Sequence, residues 1–463
     1  MFTISSEDFG SKLTTFLSRY ENTKRPVTVA FRHLIGPALA NADRATHLIH
    51  PYPAKLLMHI PHFFLSNNLF SQPYDIVLDP FCGSGTVLLE AILARRNAIG
   101  CDTNPLATLI ARVKTHPLDP QALGSSISRL SRRIRKTPFT GPPEVINLNY
   151  WFHPHVIREL TTILEAIDQT RDVHFKEFFE VCFSVCVRKV SLADPRLSVP
   201  VKLRLGQYPK NHWLHERTNQ HVRKLARVDV VAVFQRILQE NFSRMCAFND
   251  MISSRHIGRA QVHTSDARQL MYLGDDSHIR QSIPSRSVDL VITSPPYAGA
   301  QKYIRASSLS LGWLELARNG DLRKFDERTV GREFFRKVHY QNPISIGISS
   351  ADQFLEEIYS LNPLRSHIAG TYLVEMKDVL REISRVLKPR GHLILILANN
   401  NICGREFKAT QWLTRIAEEL HLSLILRFVD SIRSRGLMTK RNKTASMITR
   451  EWVLVFRRND INN

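Results

Sequence analysis

"YDIVLDPFCGSGTVLLEAILARRNAIGCDTNP" (Tyr74–Pro105) carries the strongest fold signal in the chain. The apolar run over Asp75–Leu78 reads as a buried strand and leads into a loop with two glycines, Gly83 and Gly85. The spacing predicts a helix from Thr86, because Val87, Leu88, Ala91 and Ile92 fall on one helical face. "NAIGCD" (Asn97–Asp102) is the next strand. Strand, tight loop, helix, strand is a βαβ unit, so the sheet is parallel and the crossover right-handed. Ligands of such sheets lie beyond the carboxyl ends of the strands, where strand order reverses. Gly83 and Gly85 let backbone come close to a ligand there. Asp102, at the end of the second strand, suits a pair of ribose hydroxyls, since one carboxylate accepts both hydrogen bonds. A phosphate loop would need GxxxxGK[ST], and no lysine follows. Asp79 beside the loop favours a cationic or amine-bearing ligand instead.

A second stretch, "VDLVITSPPYAGAQKY" (Val288–Tyr303), is a buried strand that runs into Ser294, Pro295, Pro296 and Tyr297. Two prolines cannot continue a parallel strand, because each lacks a ladder donor and fixes φ. The result is a rigid turn presenting a serine and a tyrosine.

Working outward, residues 121–260 lose the strand–helix rhythm and gain helical periodicity and basic clusters such as "SRLSRRIRK" (Ser128–Lys136). The sheet resumes at "RAQVHTSDARQL" (Arg259–Leu270), where Asp266 ends the third strand. "MKDVLREISRVLKPRGHLILILANN" (Met376–Asn400) gives a helix, a Pro/Gly turn and a buried strand; "LSLILRFVD" and "EWVLVFRR" are the last strands. The simplest architecture is one doubly wound α/β sheet with a helical insertion after its second strand.

Composition bounds the rest. The chain has 463 residues, 43% hydrophobic and 23% charged, as ordinary globular proteins do. No segment approaches the ~20 apolar residues of a membrane span, and the start shows no export signal. Six scattered cysteines argue for a reducing cytoplasm rather than a disulfide framework. Cys182 and Cys186, at i, i+4, lack companion ligands and read as buried apolar residues, so no metal is expected. The net charge of +21 points to a polyanionic partner.

With both motifs ending strands, the chain resembles the S-adenosyl-L-methionine-dependent amino-methyltransferases of DNA, which modify cytosine N4 or adenine N6. The resemblance covers most of residues 45–456. It implies a Rossmann-like, mostly parallel methyltransferase sheet of seven strands. Residues 1–120 would hold the N-terminal segment and cofactor half, 121–258 the helical insertion, often the target-recognition region in this motif order, and 259–463 the catalytic half. "DPFCGSGT" resembles the family's cofactor loop, which implies cofactor roles for Asp79, Phe81, Cys82, Gly83, Ser84, Gly85 and Thr86, with Asp102 as the ribose acid. "HLIHPYPAK" (His47–Lys55) resembles the segment that closes over the methionine end, through His50 and Pro51; a Pro-rich connector is the plainer reading. "TSPPY" resembles the catalytic motif, giving Ser294, Pro295, Pro296 and Tyr297. Its serine is commoner in cytosine-N4 enzymes.

An exocyclic base amine is a weak nucleophile, because its lone pair is delocalised into the ring. Acceptors aimed at its hydrogens favour the developing ammonium, and the Ser294 hydroxyl and Pro295 carbonyl suit that task. Tyr297 offers a face for an everted base. Asp266 has two readings, acceptor from an adenine amine or N-cap of a helix starting at Ala267. "SRRIRK" and "TKRNK" are phosphate contacts or solvated surface. The expected partner is DNA, with a companion restriction endonuclease as a further possibility; cytosine N4 is the first target and adenine N6 the second. Guanine-N2 methylation of RNA, and a nucleic-acid-binding protein without catalysis, are the farther alternatives.

Overall fold

The computed structural model describes residues 6–35, 44–53, 55–145, 147–252, 257–273, 280–299, 303–318, 321–431 and 450–460. Among them run twelve strands: β1 (Val27–Thr28), β2 (Ile76–Asp79), β3 (Asn97–Asp102), β4 (Ala260–Thr264), β5 (Met271–Leu273), β6 (Arg280–Ser282), β7 (Val288–Thr293), β8 (Leu387–Leu397), β9 (Asn400–Ile402), β10 (Arg405–Phe407), β11 (Leu422–Ser431) and β12 (Arg450–Arg458). Eight form one sheet in the order β1-β11-β12-β8-β7-β2-β3-β4, while β5–β6 and β9–β10 are small antiparallel pairs. The seven-strand expectation is short by β1, a two-residue edge strand that pairs in parallel with β11 through Val27↔Phe428. Nothing in so short a run has a readable period.

The sheet is parallel from β8 to β4, and β12 lies antiparallel between β8 and β11. From β2 the chain moves outward to β3 and β4, then returns to the other side of β2 as β7 and β8. Strand order therefore reverses between β2 and β7, where such sheets bind ligands. Alternate side chains enter opposite cores. Leu290, Ile292, Ile394 and Ile396 pack on one face, and Val291, Leu393, Leu395 and Leu397 on the other.

The Pro/Gly turn expected near residue 389 is instead the irregular start of β8. Arg390 has φ of 64°, and pairing with β7 skips from Val288↔Leu387 to Leu290↔His392. The kink is absorbed as a bulge, because both ends remain in the ladder. Helix starts follow local chemistry. Asn104, Asp119 and Asn362 each cap a helix with a side-chain oxygen, and a proline occupies the first turn.

The insertion covers one face of the sheet. Its helix Val173–Val190 packs against Pro105–Thr115 and Tyr303–Trp313, and Cys182 and Cys186 are fully buried there. Residues 192–227 gather around a small cluster of their own, Leu192, Leu203, Val222 and Leu225. Among the described residues no helix is long and apolar enough to cross a membrane.

Candidate active site

β2 and β7 run side by side, with Val77 opposite Leu290 and Leu78 opposite Val291. Their carboxyl ends are joined directly, as the Thr293 hydroxyl donates to Asp79 Oδ1 at 2.7 Å. Beyond that bond opens a cleft of about 840 Å³, counting space open to solvent. Asp79, Phe81, Cys82, Gly83, Ser84, Thr86, Asp102 and Asp266 line it, together with Ser294 and Pro296. The glycine loop and the proline turn thus face the same space.

The loop is held by its own backbone. Cys82 N–H donates to the Cys101 carbonyl at 2.9 Å and Gly85 N–H to the Cys82 carbonyl at 2.7 Å. Gly83 (φ 48°) borders the cleft, but Gly85 (φ 75°) does not line it. A Cβ on Gly85 would sit 2.9 Å from that of Ala111, so this glycine serves packing between the helices that begin at Thr86 and Pro105. Asp102 accepts from Gly83 N–H at 2.9 Å through Oδ2 and from Asn104 N–H at 2.8 Å through Oδ1. Its direction is therefore set by the loop.

Burial raises both acids. Desolvation lifts Asp79 to about 7 against the pull of Thr293 and the Phe81 amide. It lifts Asp102 to about 6 against the amides of Asn104 and Gly83. Carboxylates held this way gain from a cationic or hydrogen-bond-donating ligand, which would replace the lost hydration.

The segment before the loop is pinned to the helix Thr86–Leu93 by one buried carboxylate. Arg44 donates to both oxygens of Glu90 at 2.8 Å, His47 Nε2 lies 2.8 Å away and His62 Nδ1 2.7 Å. Burial pushes Glu90 up, but Arg44, His47 and His62 together hold it well below the usual carboxylate range. The segment then delivers Tyr52, Lys55 and Leu56 to the cleft. His50 and Pro51 do not line it. His50 is turned inward, its Nε2 2.9 Å from Ser184 Oγ on the insertion, and Pro51 faces solvent. Lys55 donates to the carbonyls of His47 and His50, and burial lowers it to about 8.

In the proline turn, Pro295 is buried and Tyr297 half-buried; neither lines the main cleft. The Tyr297 hydroxyl donates to Glu451 Oε1 at 3.0 Å, at the start of β12. Asp266 lies two residues past β4, and no helix begins at Ala267, so its N-cap reading fails: the chain makes only a turn there. Its carboxylate is gripped by Arg268 through Nε at 2.9 Å and Nη2 at 2.6 Å.

Several cleft residues escaped the sequence reading. Asn104 Nδ2 donates to Tyr52 Oη at 3.0 Å and Ser307 Oγ at 3.1 Å, tying the covering segment to the helix Tyr303–Trp313. Its signal was the Asn-Pro pair that opens a helix. Arg328, Thr329 and Val330 complete the opposite wall, with no local pattern to mark them. "TKRNK" lies outside the described residues. Among the described residues no group of three or more His, Cys, Asp or Glu could hold a metal ion.

Residues 44–112 match the DNA methylase family. The type II methyltransferase M.MvaI of Kocuria varians is 22% identical over 426 residues, covering 87% of this chain and 88% of that protein. The type II methyltransferase M.MjaII of Methanocaldococcus jannaschii is 38% identical over 87 residues, 18% of this chain and 16% of that one. Among solved structures, an S-adenosylmethionine-dependent methyltransferase of Methanosarcina mazei aligns over 84% of this chain and 95% of its own, at 9% identity and a TM-score of 0.30.

Proposed function

Given its place in the DNA amino-methyltransferase family, we propose that the chain transfers a methyl group from S-adenosyl-L-methionine to an exocyclic base amine in DNA, cytosine N4 first. One observation carries this reading. The 2.7 Å bond between Thr293 and Asp79 locks two strand ends together, so donor loop and acceptor turn border one cleft.

The donor set fits the cofactor. Asp102 offers oriented oxygens for ribose hydroxyls, and Asp79 a buried carboxyl that a sulfonium or ammonium would draw into its charged form. S-adenosyl-L-methionine, when bound, supplies a methyl group carried on positively charged sulfur. Phe81, Cys82, Ser84 and Thr86 line the cleft that would hold it, and Tyr52 and Lys55 would cover it. Ser294 and the Pro295 carbonyl accept from the target amine and favour its pyramidal form; the prolines keep these acceptors fixed. Ser294 and the Pro295 carbonyl would point the amine at the methyl group that the cofactor supplies, and the methylated amine would then give its surplus proton to water. Holding amine and methyl in line supplies much of the acceleration. A base inside a duplex cannot reach this edge, so it must be everted.

The lobe 192–227 suits target recognition. It carries Arg196, Lys202, Arg204, Lys210, Arg217, Arg223, Lys224 and Arg227 against Asp194 and Glu216, and Trp213 is 74% exposed. The exposed part of "SRRIRK" at Arg132, Arg135 and Lys136 suits phosphate contact. The chain would then work in the cytoplasm beside a companion restriction endonuclease of matching specificity.

Nucleoside mass spectrometry of DNA from cells expressing the protein tests the reading. N4-methylcytosine is expected. N6-methyladenine alone moves the target to adenine, and neither modified base overturns the function.

A further inference from the structure

The cleft wall formed by Arg328, Thr329 and Val330 continues into residues 331–340, "GREFFRKVHY". This segment touches the catalytic turn. Gly299 N–H donates to the Gly331 carbonyl at 3.3 Å, and a Cβ on Gly331 (φ 79°) would sit 3.1 Å from the Tyr297 carbonyl oxygen. It is anchored on its inner side. Arg332 binds Glu375, and Phe335 meets the ring of His367 edge-on at 4.6 Å, both on the helix Pro363–Val386. Arg332 also lies over the Phe335 ring.

The outer side is unusual. Phe334 is 57% exposed and Val338 63% exposed, although Phe335 between them is anchored inward. Around them Arg328, Arg336 and Lys337 are exposed, and Arg323 lies 5.5 Å from the Phe334 ring centre. Apolar tips ringed by cations are poorly explained by solubility. They suit a partner with anionic edges and a stacked apolar interior, which describes a nucleic-acid duplex.

We propose that residues 331–340 form a DNA-facing lip, in which Phe334 and Val338 enter the space vacated by the everted base while Arg336 and Lys337 hold the flanking phosphates. This inference rests on the proposed DNA methyltransferase activity and assigns a partner surface beside that site. The anchored inner side keeps the tip in place, so that it can fill the gap without itself being ordered on binding.

The test uses the full chain and a duplex carrying the site mapped from plasmid methylated by the wild type. A second duplex places the target base opposite an abasic position, where no pairing must be broken. Phe334→Ala with Val338→Ala should slow methylation of the paired duplex about tenfold or more, yet change the abasic duplex by less than about twofold. Phe334→Leu, which keeps an apolar tip, should retain most of the rate. Arg336→Ala with Lys337→Ala should lower the slope of log Kd against log salt by about 2. Equal losses on both duplexes, or no loss on the paired one, overturn the wedge; an unchanged salt slope overturns the phosphate contacts. A wild type that methylates neither duplex removes the function itself and the lip with it.

Discussion

The carboxyl edge of the sheet and the lobe 192–227 are built on opposite terms. At the edge, Asp79 and Asp102 are held by backbone amides and one hydroxyl, and the dry surroundings raise both acids. In the lobe, only three leucines and a valine make the core, and cations and an indole face water. Chemistry on a small reactive centre needs fixed groups in a low dielectric, so the edge spends solvation to gain direction. Reading a long polyanion needs area and charge that remain hydrated until the partner arrives. Substitutions at the edge should therefore act steeply and through single atoms, and those in the lobe shallowly and through charge.

The steepest expected effect is at Asp102. Asp102→Ala should weaken S-adenosyl-L-methionine binding by about 2–4 kcal/mol, as two charge-assisted hydrogen bonds are lost. Calorimetry that finds wild-type affinity in the variant breaks the contrast at its strong end. Tyr297→Ala comes next. Stacking of ~1–3 kcal/mol should vanish from methyl transfer while cofactor affinity stays near wild type. Comparing single-turnover rates with calorimetry separates the two, and equal losses would mark the tyrosine as structural.

The raised acids give a pH dependence with opposite signs for folding and binding. Asp79 moves from 3.8 to about 7, so its contribution to stability is full below the unfolded value and is lost as pH rises through about 7. Asp79→Asn cannot ionise and should melt ~2 °C or more above wild type at pH 8, with no such gain at pH 4. Affinity for a sulfonium-bearing ligand runs the other way, rising between pH 6 and 8 as Asp102 and Asp79 ionise. Melts and calorimetry across that range read both; a flat binding profile would remove the electrostatic role of Asp79. The smallest effect belongs to the lobe. Trp213→Ala should lower DNA affinity only a few-fold, ~1 kcal/mol, and leave melting unchanged, because the ring is 74% exposed. A filter-binding titration tests it, and a large loss of stability would show that the lobe is packed more tightly than its core suggests.

What the chain disclosed in advance follows the same divide. β3 was readable to the residue and β7 to its end, because a buried parallel strand is a continuous apolar run closed by a loop or a proline. Ser294, Asp79 and Asp102 could be assigned to one edge because strand ends share an edge by topology. His50 and Asp266 were harder. The first points to Ser184, 134 positions away, and the second is claimed by Arg268 where the expected helix never forms. Arg328, Thr329 and Val330 reach the cleft only through tertiary packing, which leaves no periodic trace.

The placement of β12 reaches beyond geometry. This strand slots between β8 and β11, both made earlier in synthesis, and its Glu451 is what tethers Tyr297. A nascent chain that has already left the ribosome with its glycine loop and proline turn complete still lacks that tether until residue 451 has emerged and β12 has slid home. The tether on Tyr297 is thus supplied by a strand that follows both of its sheet neighbours in the chain.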